Sequence, residues 1–157
     1  MTLELVRVDD RLIHGQVIVG WGHLLRPETI LLVDDEIAAN EWEMDLYRMG
    51  VPDAMEISFL TVEDAAARME SFANSAERVI VVLGSVDSLA RLCDKTSAVR
   101  KVNLGGVHFS SERIERLPYV FLSDEEMYRL GTLEQAGIEI VAQDVPTSSA
   151  VPFAGLK

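Results

Sequence analysis

At 157 residues the chain has the length of one domain, 1–157, able to bury a core without disulfide or metal staples. Its 48% hydrophobic content is that of an ordinary globular protein. The 26 acidic and 14 basic residues leave a net charge of −12, a balance that repels phosphate backbones and argues against nucleic acid as a partner.

The chain opens on an apolar run, Leu3 to Val8, which reads as a strand. Charges at Arg7, Asp9, Asp10 and Arg11 follow at once, so no signal peptide is expected. A helix is expected from about Gln16 through Val17, Val19, Trp21 and Leu24. The next strand, Thr29–Val33, is continuously apolar, as a strand covered on both faces would be. Ala38, Trp42, Leu46 and Met49 then line one helical face, which Gly50 and Pro52 end. A strand over Met55–Leu60 leads to Thr61-Val62-Glu63-Asp64, a helix start followed by Ala66, Met69 and Ala73 at helical spacing.

Arg78–Leu83 is the second continuous apolar strand. Cys93 follows in the stretch Leu89–Cys93 and reads as a small buried hydrophobe on a helix. As a lone cysteine it can make no internal disulfide, which suits a reducing compartment. A strand at Lys101–Leu104 gives way to an aperiodic stretch, Gly105–Pro118, expected as loop. Tyr119–Leu122 reads as a further strand. Ser123-Asp124-Glu125-Glu126 has capping-box spacing ahead of Met127, Leu130 and Leu133, and Gly137 is placed to cap that helix. Ile138–Ala142 is the closing strand, and the tail from Thr147 is expected to cross the surface or make a subunit contact. Strand–helix alternation throughout predicts an α/β fold, an open and mostly parallel central sheet with helices on both faces. No stretch reaches membrane-spanning length, and the expected location is the cytoplasm.

Ligands in such sheets bind beyond the carboxyl ends of the strands. The first strand runs into Asp9-Asp10-Arg11-Leu12-Ile13-His14-Gly15-Gln16, which gathers two carboxylates, a guanidinium and an imidazole before a helix. These types suit phosphoryl transfer. A neutral imidazole is a good nucleophile near neutral pH, and phosphohistidine is labile enough to be passed on. Arg11 can clamp equatorial oxygens. The amides of Gly15, Gln16 and Val17 can meet an anion at a helix start. Asp10 or Asp9 can orient His14 or Arg11, with Asp10 as the working choice. The bland alternative is a capped turn with a structural histidine. His23 and His108 have no ligand spacing with His14, so no metal or cofactor is expected. Asp34-Asp35 resembles the acid pair of a receiver domain but follows the second strand, and reads as a helix cap.

The run Val6 to Val17 resembles the active-site signature of mannose/sorbose-family phosphotransferase-system IIB components, hydrophobic-x-hydrophobic-Asp-x-Arg-Leu-Ile-His-Gly-Gln-Val. Trp21, Val33–Ala38, Met49–Pro52, Val102–Gly106, Gly137–Ile140 and Val145-Pro146 extend the likeness loosely over nearly the whole chain. The resemblance implies a protein-N(π)-phosphohistidine–sugar phosphotransferase. His14 would accept phosphate from a IIA partner and deliver it to a sugar held by membrane IIC and IID components, with Arg11 as clamp. It further implies peripheral attachment to those membrane subunits, a homo-oligomer, and cleft loops at Gly84-Ser85 and Gly105-Gly106 that touch phosphate. A regulatory phosphoprotein of the same fold, using the same His14, is the alternative. The sequence departs from the family at 107–113, where Val107-His108-Phe109 and the residues to Arg113 replace a methionine and a Gly-Lys turn.

Overall fold

The computed structural model describes residues 3–157. A seven-stranded sheet in the order β3-β2-β4-β1-β5-β8-β9 forms the centre. Its strands are β1 (Leu3–Asp9), β2 (Thr29–Val33), β3 (Glu56–Leu60), β4 (Val79–Leu83), β5 (Lys101–Gly106), β8 (Glu139–Ala142) and β9 (Val151–Pro152). The first six are parallel, and β9 returns antiparallel along β8. Every residue of β2 and β4 is buried, as their unbroken apolar runs require.

Helices cover both faces. On one lie α3 (Val62–Asn74), α4 (Val86–Lys95) and α5 (Asp124–Gln135), which bury Met69, Phe72, Leu89, Leu92 and Leu130 against Val6, Leu31, Val81 and Leu104. On the other, a π-helical segment (Gln16–Trp21), the short α1 (Gly22–Leu25) and α2 (Glu41–Met49) cover Ile30, Leu32, Ile80 and Val82. The caps follow the sequence. Thr61 accepts from the Asp64 amide, and Ser123 and Glu126 make a reciprocal capping box. Gly137, just past α5, takes φ +100°, a left-handed conformation that suits glycine. Asp34 caps the 3₁₀ turn Ile37–Ala39, and Asp35 accepts from the Val62 amide, so this acid pair is structural. Burial pushes the Cys93 thiol up to about 11, which keeps it protonated and unreactive near neutral pH.

Two sequence expectations change. The segment 105–118 is not all loop. Its strand β6 (Ile114–Leu117) pairs antiparallel with β7 (Val120–Leu122) in a separate hairpin, so Tyr119–Leu122 does not join the central sheet. Both backbone groups of Val107 bond to this hairpin, its amide donating to the Tyr119 carbonyl and its carbonyl accepting from the Phe121 amide. The face formed by Trp42, Leu46 and Met49 points to solvent. Met44 is buried instead and Tyr47 packs beside it, in the rotation set by the Asn40 cap. The tail docks on its own domain through buried Phe153 and Leu156.

Candidate active site at the end of the first strand

The chain leaves β1 toward β2 on one side of the sheet, while β5 connects to β8 on the other. The carboxyl ends of β1 and β5 thus flank the crevice where the winding direction reverses. Asp9, the last residue of β1, pairs there with Gly106 of β5.

Asp9 is fully buried and organises everything around it. Its carboxylate accepts from Arg11 Nε and Nη2 (3.1 Å each), the Arg11 amide (3.1 Å), Arg7 Nη2 (3.2 Å) and His14 Nε2 (2.8 Å). Burial alone would raise the Asp9 carboxyl. The hydrogen bonds from Arg11 and His14 outweigh it and hold the group below the ordinary carboxylate range. Asp9 is therefore an anion shared by two guanidiniums and an imidazole.

The expectation that Asp10 orients His14 is overturned. Asp10 begins the turn beyond the strand and faces away, onto the amide and ring of His108. The carboxylate that contacts the His14 ring is that of Asp9. Arg7 is the residue the sequence reading passed over. It is completely buried beneath the site, bonded to Asp9, to the Asn103 side chain and to the carbonyls of Gln143 and Asp144 (2.9 Å each). Its guanidinium carbon lies 5.5 Å from the centre of the Trp21 ring, whose indole donates to the same Asp144 carbonyl. Desolvation draws the Arg7 pKa down from its ordinary value, and the Asp9 carboxylate opposes that shift. Strand alternation carried the clue. Arg7 and Asp9 flank Val8 and so share one face of an otherwise apolar strand.

His14 and Arg11 are where the sequence placed them, in the loop after β1. The His14 side chain is 17% exposed and that of Arg11 35%. Arg11 also donates to Gln16 Oε1 at 2.8 Å, which holds it beside the histidine. The Gln16 amide donates to His14 Nδ1 at 3.2 Å. Nδ1 thus presents its lone pair while Nε2 carries the proton bonded to Asp9. Leu12 anchors the loop. It sits at φ +59°, unusual for a branched residue, with its side chain buried over Gly84.

The remaining expected contacts sort less simply. Gly15 has φ −53° and open space at its missing Cβ, so no packing against the protein itself requires glycine there. The amides of Gly15, Gln16 and Val17 do lie at the start of the π-helical segment, which is widened by the bond from the Gly22 amide to the Val17 carbonyl. Gly105 makes room for Arg7. A Cβ there would lie 1.8 Å from the guanidinium carbon. A Cβ at Gly106 would press on Asp9 and Arg11 at 3.0 to 3.3 Å. Ser85 spends its hydroxyl on capping α4, through the Ser88 amide at 3.0 Å, in a cleft shared with Ser110, Arg113 and Glu126.

Gly105→Ala follows directly from this packing. Arg7 cannot move aside without leaving Asp9. The substitution is expected to cost about 2–3 kcal/mol by overpacking, read as a lowered denaturant midpoint at unchanged slope.

Among the described residues no helix is long and apolar enough to cross a membrane. Comparison with known proteins then fixes the lineage. The family model described as "PTS system sorbose subfamily IIB component" matches residues 3–156. A fructose-specific EIIB component of Bacillus subtilis (strain 168) is 24% identical over 153 residues, covering 98% of this chain and 94% of the relative. The N-acetylgalactosamine-specific IIB component 2 of Escherichia coli (strain K12) is 27% identical over 149 residues, covering 95% and 94%. The solved IIB domain of the sorbose permease from Klebsiella pneumoniae superposes with a TM-score of 0.89 at 22% identity, over 99% of this chain and 96% of that one, and it supports the fold. The N-acetylgalactosamine-specific IIB component 1 of Escherichia coli superposes with a TM-score of 0.88 at 25% identity, over 96% and 98%. By the extent of the family match together with this fold, the chain belongs to the sorbose subfamily of IIB components of the phosphotransferase system.

Proposed function

We propose that this IIB component carries the phosphoryl group on Nδ1 of His14. The observation that supports the choice of nitrogen is the pair of hydrogen bonds that the ring makes. Asp9 takes the proton on Nε2, and the Gln16 amide marks the lone pair on Nδ1. Attack by Nδ1 on a donor phosphohistidine forms one N–P bond as the donor's N–P bond breaks. The positive charge arising on the His14 ring is stabilised by Asp9, which keeps the proton hydrogen-bonded throughout. The Gln16 amide, relieved of Nδ1, is placed to donate to a phosphoryl oxygen. Gly15 and Val17 offer neighbouring amides, and Arg11 supplies permanent charge from the open side. Delivery to the sugar breaks the N–P bond of His14 as a sugar hydroxyl forms an O–P bond and releases its proton to a base or water beside the sugar.

In this reading residues 1–157 act as one phosphocarrier unit. The donor is a IIA protein. The acceptor is a sugar presented by IIC and IID components, to which the chain attaches peripherally from the cytoplasm. A mannose-specific EIIAB component of Escherichia coli (strain K12) supports the pairing with IIA. It is 28% identical over 150 residues that span 46% of its length. The exposed stripe of Trp42, Leu46 and Met49 supports self-association.

The test is phosphorylation of the purified chain by a phosphorylated mannose-type IIA protein, with mass spectrometry under non-acidic conditions. An acid-labile phosphate on His14 is expected. No label, with the donor active on a control acceptor, refutes the reading. Arg11→Lys is expected to slow this transfer about tenfold, because the lysine keeps charge and loses the two-pronged geometry. Single-turnover rates at saturating donor measure it.

A further inference from the structure

Two aspartates follow one another at the end of β1, Asp9 buried and Asp10 turned onto the next loop, and only Asp9 contacts His14. The second, Asp10, is the immediate chain neighbour of Arg11. A free carboxylate there would compete with an incoming phosphoryl group for the Arg11 guanidinium, and would repel the group's negative charge. In the structure it is not free. One Asp10 oxygen accepts from the His108 amide at 2.7 Å and the other meets His108 Nδ1, while the Asp10 amide donates to the Gly106 carbonyl at 2.9 Å.

His108 is itself held. Arg113 donates to the His108 carbonyl at 2.9 Å and forms a two-pronged pair with Glu126 at 2.9 and 3.0 Å. Glu126 belongs to the capping box of α5. A continuous set of bonds thus runs from the start of α5 through Arg113 and His108 to Asp10. The residues that build it, His108 and Arg113, lie in the segment between β5 and β6.

We propose that His108 is a positioning residue for phosphoryl transfer: its ring holds the Asp10 oxygen that the backbone amide leaves free, and so keeps that oxygen off Arg11 and out of the phosphoryl's place. This rests on the reading of His14 as phosphoryl carrier. The role is a hydrogen-bonding one and requires only a donor at the position of Nδ1. The His108 side chain is 52% exposed and that of Asp10 27%, so neither contributes much to the core.

The experiment compares single-turnover phosphorylation of His14, from the same phosphorylated IIA donor, in four proteins. These are the unaltered chain, His108→Ala, His108→Asn and the double variant His108→Ala/Asp10→Asn. His108→Ala is expected to slow transfer about tenfold, the loss that follows from an acceptor competing through a charge-assisted hydrogen bond. His108→Asn, whose amide can stand where Nδ1 stood, is expected to recover most of the rate. The double variant, with the competing charge removed, is expected to be faster than His108→Ala alone. A merely structural brace would not give that second recovery. A His108→Ala rate equal to that of the unaltered chain overturns the proposal. So does a double variant no faster than His108→Ala. An unaltered chain that takes no phosphate overturns the phosphocarrier reading as well, which separates the two failures.

Discussion

A His14→Ala variant is expected to accept no phosphoryl group from an active donor while keeping its fold. The first half follows from chemistry. No other imidazole is placed as His14 is: the bond from Gln16 leaves Nδ1 unprotonated, and Asp9 is ready to stabilise the charge that phosphorylation creates. The nearest candidate for substitution, His108, has its own Nδ1 turned to Asp10 and stands outside the cradle formed by Arg11 and Gln16. The second half follows from packing. The His14 side chain is partly exposed, and its removal leaves Asp9 with Arg7, Arg11 and the Arg11 amide. The expected stability change is about 1 kcal/mol, the usual net worth of one hydrogen bond. Mass spectrometry of the donor reaction reads the first expectation, and circular dichroism with a denaturant titration reads the second. A variant still labelled at a nitrogen-linked site would displace His14 from its role. A collapsed variant would mean that the loop depends on the imidazole far more than its exposure suggests.

The parts of this site that were legible in the sequence share a cause. Strands β2 and β4 show as unbroken apolar runs because both faces are covered, and the starts of α3 and α5 show because a capping hydroxyl is a local device. Residue type and position set His14 and Arg11 in the loop after β1, while their expected roles came from the likeness of Val6 to Val17 to the family signature. What stayed hidden depends on direction. Asp9 and Asp10 are the same residue type one step apart, and the end of a strand sends them to opposite sides, one into the sheet and one onto the next loop. Composition cannot tell them apart, although the alternation of Arg7 with Val8 points to Asp9. Gly105 and Gly106 were read as room for a phosphate, yet Gly105 is room for Arg7 and Gly106 for Asp9 and Arg11. No local pattern announces a clearance between strands 98 residues apart in the chain. The hairpin of β6 and β7 was missed for a related reason. The buried β7 did show as a short apolar run, but its partner β6 is four residues long, exposed to half-buried, and carries little periodicity.

Asp9→Asn tests the centre of the assembly, and it is expected to damage stability and transfer together. The substitution keeps shape and removes charge. Arg7 is then a buried cation without its anion, and an asparagine amide must point its N–H toward at least one of three donors. Breaking a buried pair from one side costs about 3–5 kcal/mol. Transfer is expected to fall about 100-fold or more, since the ring loses both its orientation and the partner for its developing charge. The pH dependence gives the test its sign. The folded state holds the Asp9 carboxyl below its ordinary range, so the unfolded chain binds the proton more readily. The stabilisation is therefore complete above the ordinary carboxylate value of about 4 and is lost as pH falls through the lower folded value. A plot of unfolding free energy against pH should show that acid limb in the unaltered protein and a shallower one in Asp9→Asn. If the two limbs run parallel, Asp9 is not the anion that the geometry makes it. If they diverge while transfer persists, the carboxylate holds Arg7 for the sake of the fold, and His14 finds its orientation from Gln16 alone.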